Sequence, residues 1–327
     1  MFFEDGDSIV TYPISDRFWI TNKFEPFLNN EEMLKKHSEE LEEYMKKNPN
    51  TIILLNSGAN FIKTYPTIVS GIVIISEDVI YRNCRIRVHT EPKKPNDPDL
   101  NISIQNNYNE LIKNPDFHFL EKHTSFETIE KPGLYMATAA SGKSTFIKKK
   151  KIEELIKLYN TVGDENYFGE VVSKREHMIQ SAVSAQEHME SEQLILACLL
   201  HDIGHLLEKD DMGGLGVMNH GTVGKDYLEK MGMNKRVCKL VEGHVAAKRY
   251  LVSIDESYYE KLSDASKKTL EYQGGKMNEA EINSFEKDLD MIEILGVRYH
   301  DDNGKKIKIK DLPTIESFIP LIQKYMC

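Results

Sequence analysis

Apolar positions along this chain follow two different rhythms. In the first half they gather in short runs separated by polar, turn-rich stretches. "TIILL" (Thr51–Leu55), "IVSGIVIIS" (Ile68–Ser76) and "CRIRVHT" (Cys84–Thr90) predict strands, the last by its alternation, and "NISIQ" (Asn101–Gln105) is a fourth candidate. Glu31–Lys47 has helical spacing and strong helix formers, whereas the three prolines of Glu91–Asn101 mark a loop. From Lys148 onward apolar residues recur at helical spacing. The pattern predicts helices over Ser173–Glu190, Glu192–Leu207, His220–Lys230, Asn234–Leu251, Glu279–Tyr299 and Thr314–Tyr325. The expectation is α+β overall: a mixed α+β domain over 1–150, then an all-α domain over 151–327. The Lys148–Lys151 run reads as a solvated linker or a helix start.

Composition narrows the class. With 327 residues, 40% hydrophobic and 29% charged, the chain is long enough for two cored domains. Its longest apolar run, Ile68–Ser76, is too short to cross a bilayer. The acidic start "MFFEDGDSIV" has no secretory n-region. Four scattered cysteines (Cys84, Cys198, Cys238, Cys327) form no CxxC pair, which suits a reducing compartment, and the cytoplasm is expected. A formal net charge of −10 argues against a nucleic-acid surface. It leaves room for a small anionic ligand held by a few local cations.

The candidate chemistry lies in "ILACLLHDIGHLLEKDD", Ile195–Asp211. His201, Asp202 and His205 interrupt an apolar helical segment, and an ionised Asp inside such a helix must be paired or metal-bound. On a continuous helix His201 and His205 would share one face. His177 lies 24 residues upstream of His201, and His220 and His244 are again 24 apart. Asp301 and Asp302 follow in "VRYHDDNGKK". Each alone is a satisfied core residue; together they supply four His and at least two carboxylates in one helical domain. Imidazole and carboxylate without thiolate suit iron or manganese.

The order H…HD…H…H…D resembles the HD-domain superfamily. The same ligands serve metal-dependent phosphohydrolases acting on nucleotides or phosphate esters and oxygen-activating diiron enzymes, so neighbouring residues must choose. Tyr167 and Glu170 precede His177; Lys248 follows His244 by one turn; Arg298 precedes Asp301 by three residues; Ser266 and Gln273 lie in a polar, Gly-containing segment between helices. "YFGE", "LLHDIGHL", "GHVAAKRYLV", "QGG" and "RxxDD" resemble the mixed-valent diiron oxygenases that cleave carbon–phosphorus bonds, the PhnZ type. The resemblance runs from about Tyr167 to Lys305. It implies one iron on His177, His201, Asp202 and Asp301, and a second on bridging Asp202, His220 and His244. Asp302 is the adjacent alternative to Asp301. It further implies that Tyr167 occupies an iron until substrate displaces it and that Glu170 faces the substrate amine. His205 would approach the substrate, while Lys248, Ser266, Gln273 and Arg298 would hold the phosphonate. Fe(II)/Fe(III) and dioxygen would convert 2-amino-1-hydroxyethylphosphonate into phosphate and glycine, or an N-methylated analogue into a methylated glycine.

The first half carries weaker motifs. "ATAASGKSTF" (Ala137–Phe146) has Ala137 where a phosphate loop has its first glycine. With no evident βαβ context, it reads as a Ser/Gly turn. His89 and Glu91 with His118 or His123 could mimic a metal site but read as an exposed strand. An accessory role is expected for residues 1–150.

Overall fold

The computed structural model describes residues 11–13, 18–21, 31–55, 69–73, 79–81, 83–84, 97–117, 120–137, 143–165, 172–208, 212–305 and 311–326. The chain divides into two compact units, 2–151 and 152–327.

In the first unit, β1 (Thr11–Pro13), β2 (Phe18–Thr21), β3 (Ile52–Leu55), β4 (Val69–Val73), β5 (Glu121–His123) and β6 (Gly133–Ala137) form one sheet in the order β1-β2-β3-β6-β4-β5. Only the β1–β2 pair is antiparallel. Helix α1 spans Glu31–Lys47, as its spacing predicts. Ile52, Leu54, Val73 and Tyr135 pack with Ile80, Cys84, Phe126 and Phe146 in its core. Central strands of a parallel sheet are covered on both faces, which explains the uninterrupted apolar runs at β3 and β4.

Three expectations fail here. The candidate strand Asn101–Gln105 lies inside helix α2, Pro98–Lys113. Asp97 caps it, accepting from the backbone N–H of Asp99 and Leu100, and Pro98 takes the first turn, where its missing N–H costs nothing. The proline-rich loop thus ends in a helix start. Cys84 is helical rather than the start of a strand, and residues 85–90 lie outside the described residues. The Ser/Gly stretch does have a strand–helix setting: β6 ends at Ala137 and α3 (Lys143–Val162) begins at Lys143, with 138–142 outside the described residues. The Lys148–Lys151 run belongs to α3.

The second unit is helical, as expected, with an isolated β bridge between Met233 and Met326. Helix α4 (Lys174–Glu187) begins at a capping box of Ser173 and Glu176. Helix α5 (Glu192–Leu200) is buried along Leu194–Leu200, and a helix apolar all round belongs in a core. Tyr159 of α3 is fully buried; its hydroxyl donates to the carbonyl of Leu199. After a turn at 201–203 comes α6 (Gly204–Leu207), then α7 (His220–Met231), closed by Gly232 at φ +84°. Helix α8 (Lys235–Ile254), capped by Asn234, runs through the core. Next come α9 (Glu256–Lys261), α10 (Asp264–Tyr272), α11 (Glu279–Glu286), α12 (Met291–Asn303) and α13 (Ile319–Tyr325).

Three expected segments differ. Glu192–Leu207 is two helices, because Ile203, His205 and Leu206 bond to carbonyls three rather than four residues back. Glu279–Tyr299 is split between α11 and α12, where Asp288 and Asp290 turn to Lys239 and Arg236 of α8. The polar segment carrying Ser266 is itself helix α10, capped by Ser263. No helix among the described residues is long and apolar enough to cross a membrane.

Candidate metal centre

Backbone carbonyls set the tautomers of four histidines. Nδ1 of His201, His220 and His244 donates to the carbonyl three residues before it, those of Cys198 (2.8 Å), Val217 (2.9 Å) and Val241 (2.6 Å). Nδ1 of His177 donates to the carbonyl of Gly304 at 3.0 Å. A carbonyl only accepts, so each Nε2 keeps a lone pair. These Nε2 atoms meet in pairs, His177 with His201 at 3.1 Å and His220 with His244 at 2.9 Å. Lone pairs so close repel unless a cation lies between them. Nitrogens at roughly 2.1 Å from one ion, at right angles, lie about 3 Å apart.

The carboxylates complete two groups. Asp301 Oδ1 lies 3.2 Å from His177 Nε2 and 3.8 Å from His201 Nε2. Asp202 sits between the pairs: Oδ2 is 3.5 and 3.4 Å from Nε2 of His177 and His201, Oδ1 is 3.4 and 3.5 Å from Nε2 of His220 and His244. His177, His201 and Asp301 thus form one potential ligand group, and Asp202, His220 and His244 a second. All six are buried. Asp202 Oδ2 and Asp301 Oδ1 have no hydrogen-bond partner, a costly arrangement for buried carboxylates unless a cation faces them. The residues fit two metal ions.

Charge inside the cluster is strongly biased. Burial opposes ionisation of Asp202, but His201 with His244 and His205 outweighs it and holds the carboxyl well below its usual range. Burial likewise opposes ionisation of Asp301, and Arg298 together with His177 and His201 overcomes it. Burial lowers His177 and takes His220 well below the ordinary histidine value. It also works against charge on His201, yet Asp202 and Asp301 lift that pKa to about 9.

His205 stands apart from both groups. The break after Leu200 removes the shared face expected for His201 and His205. His201 meets His177, whereas His205 stacks on His220 with ring centroids 4.0 Å apart. Its Nδ1 accepts from the backbone N–H of Val217 at 3.0 Å, so its Nε2 carries the hydrogen and is no ligand atom. Burial pulls its pKa down to about 4. The close approach that follows requires glycine: a Cβ on Gly204 would lie 2.0 Å from the His220 carbonyl oxygen, so only glycine lets α6 touch the start of α7.

A cavity of about 40 Å³ opens beside the cluster, several times what one water needs. Asp202, His205, Lys248, Ser266, Gln273 and Arg298 line it, so the structure brings these sequence-picked residues together. Lys248 is buried and donates to Thr269 Oγ1 at 2.9 Å; burial, helped by Arg298, lowers its pKa to about 7. Gln273 Oε1 is buried without a partner. Of the adjacent acids, Asp301 faces the histidines. Asp302 turns away, accepting from Arg298 and from the Tyr258 hydroxyl at 2.6 Å. Tyr167 and Glu170 lie outside the described residues.

Sequence reading missed Thr269, Lys305 and Tyr258. Thr269 lies three residues after Ser266, a spacing that could have found it; Lys305 and Tyr258 reach the site only through the fold. His123 bonds Thr128 and approaches Glu121 at 3.4 Å, and belongs to no potential metal group among the described residues; His89, Glu91 and His118 lie outside them.

A helical unit carrying this His/Asp constellation is of the HD-domain class, and the HD-domain family model matches residues 175–277. An uncharacterised protein of Acanthamoeba polyphaga mimivirus is 37% identical over 179 residues, 54% of this chain and 81% of that protein. The [1-hydroxy-2-(trimethylamino)ethyl]phosphonate dioxygenase (glycine-betaine-forming) of Leisingera caerulea is 36% identical, covering 51% of this chain and 86% of its own. The hydroxymethylphosphonate dioxygenase of Gimesia maris is 34% identical, covering 51% and 85%. The chain belongs to the HD-domain oxygenase family of these phosphonate dioxygenases.

Proposed function

We propose that the chain is a diiron dioxygenase that cleaves the carbon–phosphorus bond of a 1-hydroxyphosphonate, releasing phosphate and a carboxylic acid. Asp202, one oxygen turned to each histidine pair, supports two ions, and the observation that carries the phosphonate reading is the cavity beside it, where Lys248 and Arg298 are buried with Ser266 and Gln273. Both named relatives act on a phosphonate hydroxylated at C1, which supports the substrate class. One dioxygen balances the reaction: C1 ends as a carboxyl carbon and phosphorus as phosphate, with no further co-substrate. The expected substrate is 2-amino-1-hydroxyethylphosphonate, giving glycine, or an N-methylated analogue giving a methylated glycine.

His177, His201 and Asp301 would hold one iron, His220 and His244 the other, with Asp202 on both. When bound, the irons supply activation of dioxygen and of the substrate's C1. The chain's own groups do the rest. Lys248, Ser266, Gln273 and Arg298 line the cavity and present donors to phosphonate oxygens. His205, neutral at pH 7, offers its Nε2–H as a donor beside Asp202. The resemblance assigns Tyr167 to an iron before substrate arrives and Glu170 to the amine. A cytoplasmic setting suits the scattered cysteines, and residues 1–150 are assigned an accessory role.

The test is anaerobic reconstitution with iron, followed by 2-amino-1-hydroxyethylphosphonate and air, with phosphate and glycine measured. A coupled Fe(II)/Fe(III) electron paramagnetic resonance signal should accompany activity. A chain that loads two irons and releases no phosphate from any 1-hydroxyphosphonate refutes the proposal. Oxygen-independent phosphate release from esters with manganese would make it a hydrolase instead.

A further inference from the structure

Arg298, on α12, is held from three sides. Its Nη1 donates to Asp301 Oδ2 at 2.6 Å, its Nη2 to Asp302 Oδ1, and its Nε to Asp302 Oδ2 at 3.1 Å and to the Tyr258 hydroxyl at 2.9 Å. Tyr258 in turn donates to Asp302 Oδ2. The "RxxDD" spacing makes this possible, since positions three and four residues along a helix both face the residue one turn before. The consequence falls on Asp301. Its Oδ2 is taken by the guanidinium, and Oδ1, without a hydrogen-bond partner, is the oxygen left toward His177 and His201.

Charge bookkeeping gives Asp302 a purpose beyond packing. Arg298 and Asp301 alone would cancel, leaving no net negative charge to face a cation at the histidines. With Asp302 the trio keeps one net negative charge, and Arg298 is anchored on its far side. We propose that Asp302, seated by Tyr258, is a positioning residue that fixes Arg298 on the outer oxygen of Asp301 and so presents Oδ1 to a metal ion. This rests on the metal reading above.

The arrangement also supplies its own probe. Tyr258 and Asp302 line a second cavity of about 330 Å³, so a small carboxylate can reach the place that Asp302→Ala vacates.

The experiment titrates the full chain anaerobically with Fe(II) alone and reads the two binding steps by calorimetry, with circular dichroism to check folding. Loss of a partner that orients a metal ligand typically weakens metal affinity by about 10–100-fold. Asp302→Asn and Asp302→Ala should each lose affinity in that range at one ion, leaving the other within about threefold, and formate should restore Asp302→Ala in part. Tyr258→Phe, which removes one hydroxyl, should show a smaller loss at the same ion. Equal affinity in wild type and both Asp302 variants overturns the proposal, as does an equal loss at both ions without formate rescue. A wild-type chain that binds no iron instead overturns the metal reading, and this inference with it.

Discussion

Nε2 of His220 and Nε2 of His244 face each other across 2.9 Å, while Nδ1 of each is tied to a carbonyl three residues earlier. Each tautomer is fixed by a nearby carbonyl, Val217 just before α7 and Val241 within α8, and packing α7 on α8 then forces two lone pairs together. A buried contact of this kind is unfavourable until a cation joins it.

Metal binding should therefore stabilise the fold. Adding Fe(II) or Mn(II) to chelator-treated protein should raise its melting temperature. At a hundred times the dissociation constant the gain is about 2.7 kcal/mol per site, since the unfolded chain has no preformed site. A thermal shift that ignores both ions would count against the centre.

Asp202 and His244 should differ in what they remove. Asp202 addresses both histidine pairs and His244 one. Asp202→Ala is expected to abolish the binding of both ions and His244→Ala chiefly that of one, as elemental analysis of the reconstituted variants would show.

Lys248 predicts a pH dependence. Burial disfavours its charged form and lowers its pKa to about 7. The cation is present below that value and is lost as pH rises through it, so phosphonate binding should weaken in the same direction. Measured KM should climb across about pH 6–8 in the wild type. Lys248→Met should have a higher KM at low pH and a flatter profile; an unchanged profile would remove Lys248 from the binding site.

Gly204 should not tolerate a side chain. The Cβ of Gly204→Ala would press on the backbone carbonyl of His220, which cannot rotate away. Overpacking of this kind costs about 1–3 kcal/mol. Because the displaced residue is a candidate ligand, denaturant unfolding and metal content should fall together.

Much of the site was legible along the chain because its chemistry is written in residue types. An acid between two histidines in an apolar run demands a partner, and His177, His201, Asp202, His220, His244 and Asp301 all come together in the folded unit. The helices around them were readable for the same reason, since a buried face leaves a periodic trace. The first unit was less readable. Its short strands at 121–123 and 133–137 carry little pattern of their own and exist through their parallel neighbours, while Asp97 and Pro98 turn an apparent strand into a helix.

The sequence by itself determined which donors are present, their order and, through the carbonyls behind His201, His220 and His244, which nitrogen each offers. Only the tertiary structure decided how they are shared. The turn after Leu200 sent His205 away from His201, and packing left Asp301 facing the histidines while Asp302 pairs with Arg298 and Tyr258. For His201, His220 and His244 the tautomer is settled by a carbonyl three residues back. Ligand sharing depends on where separate helices meet, and that is fixed by packing of the whole unit.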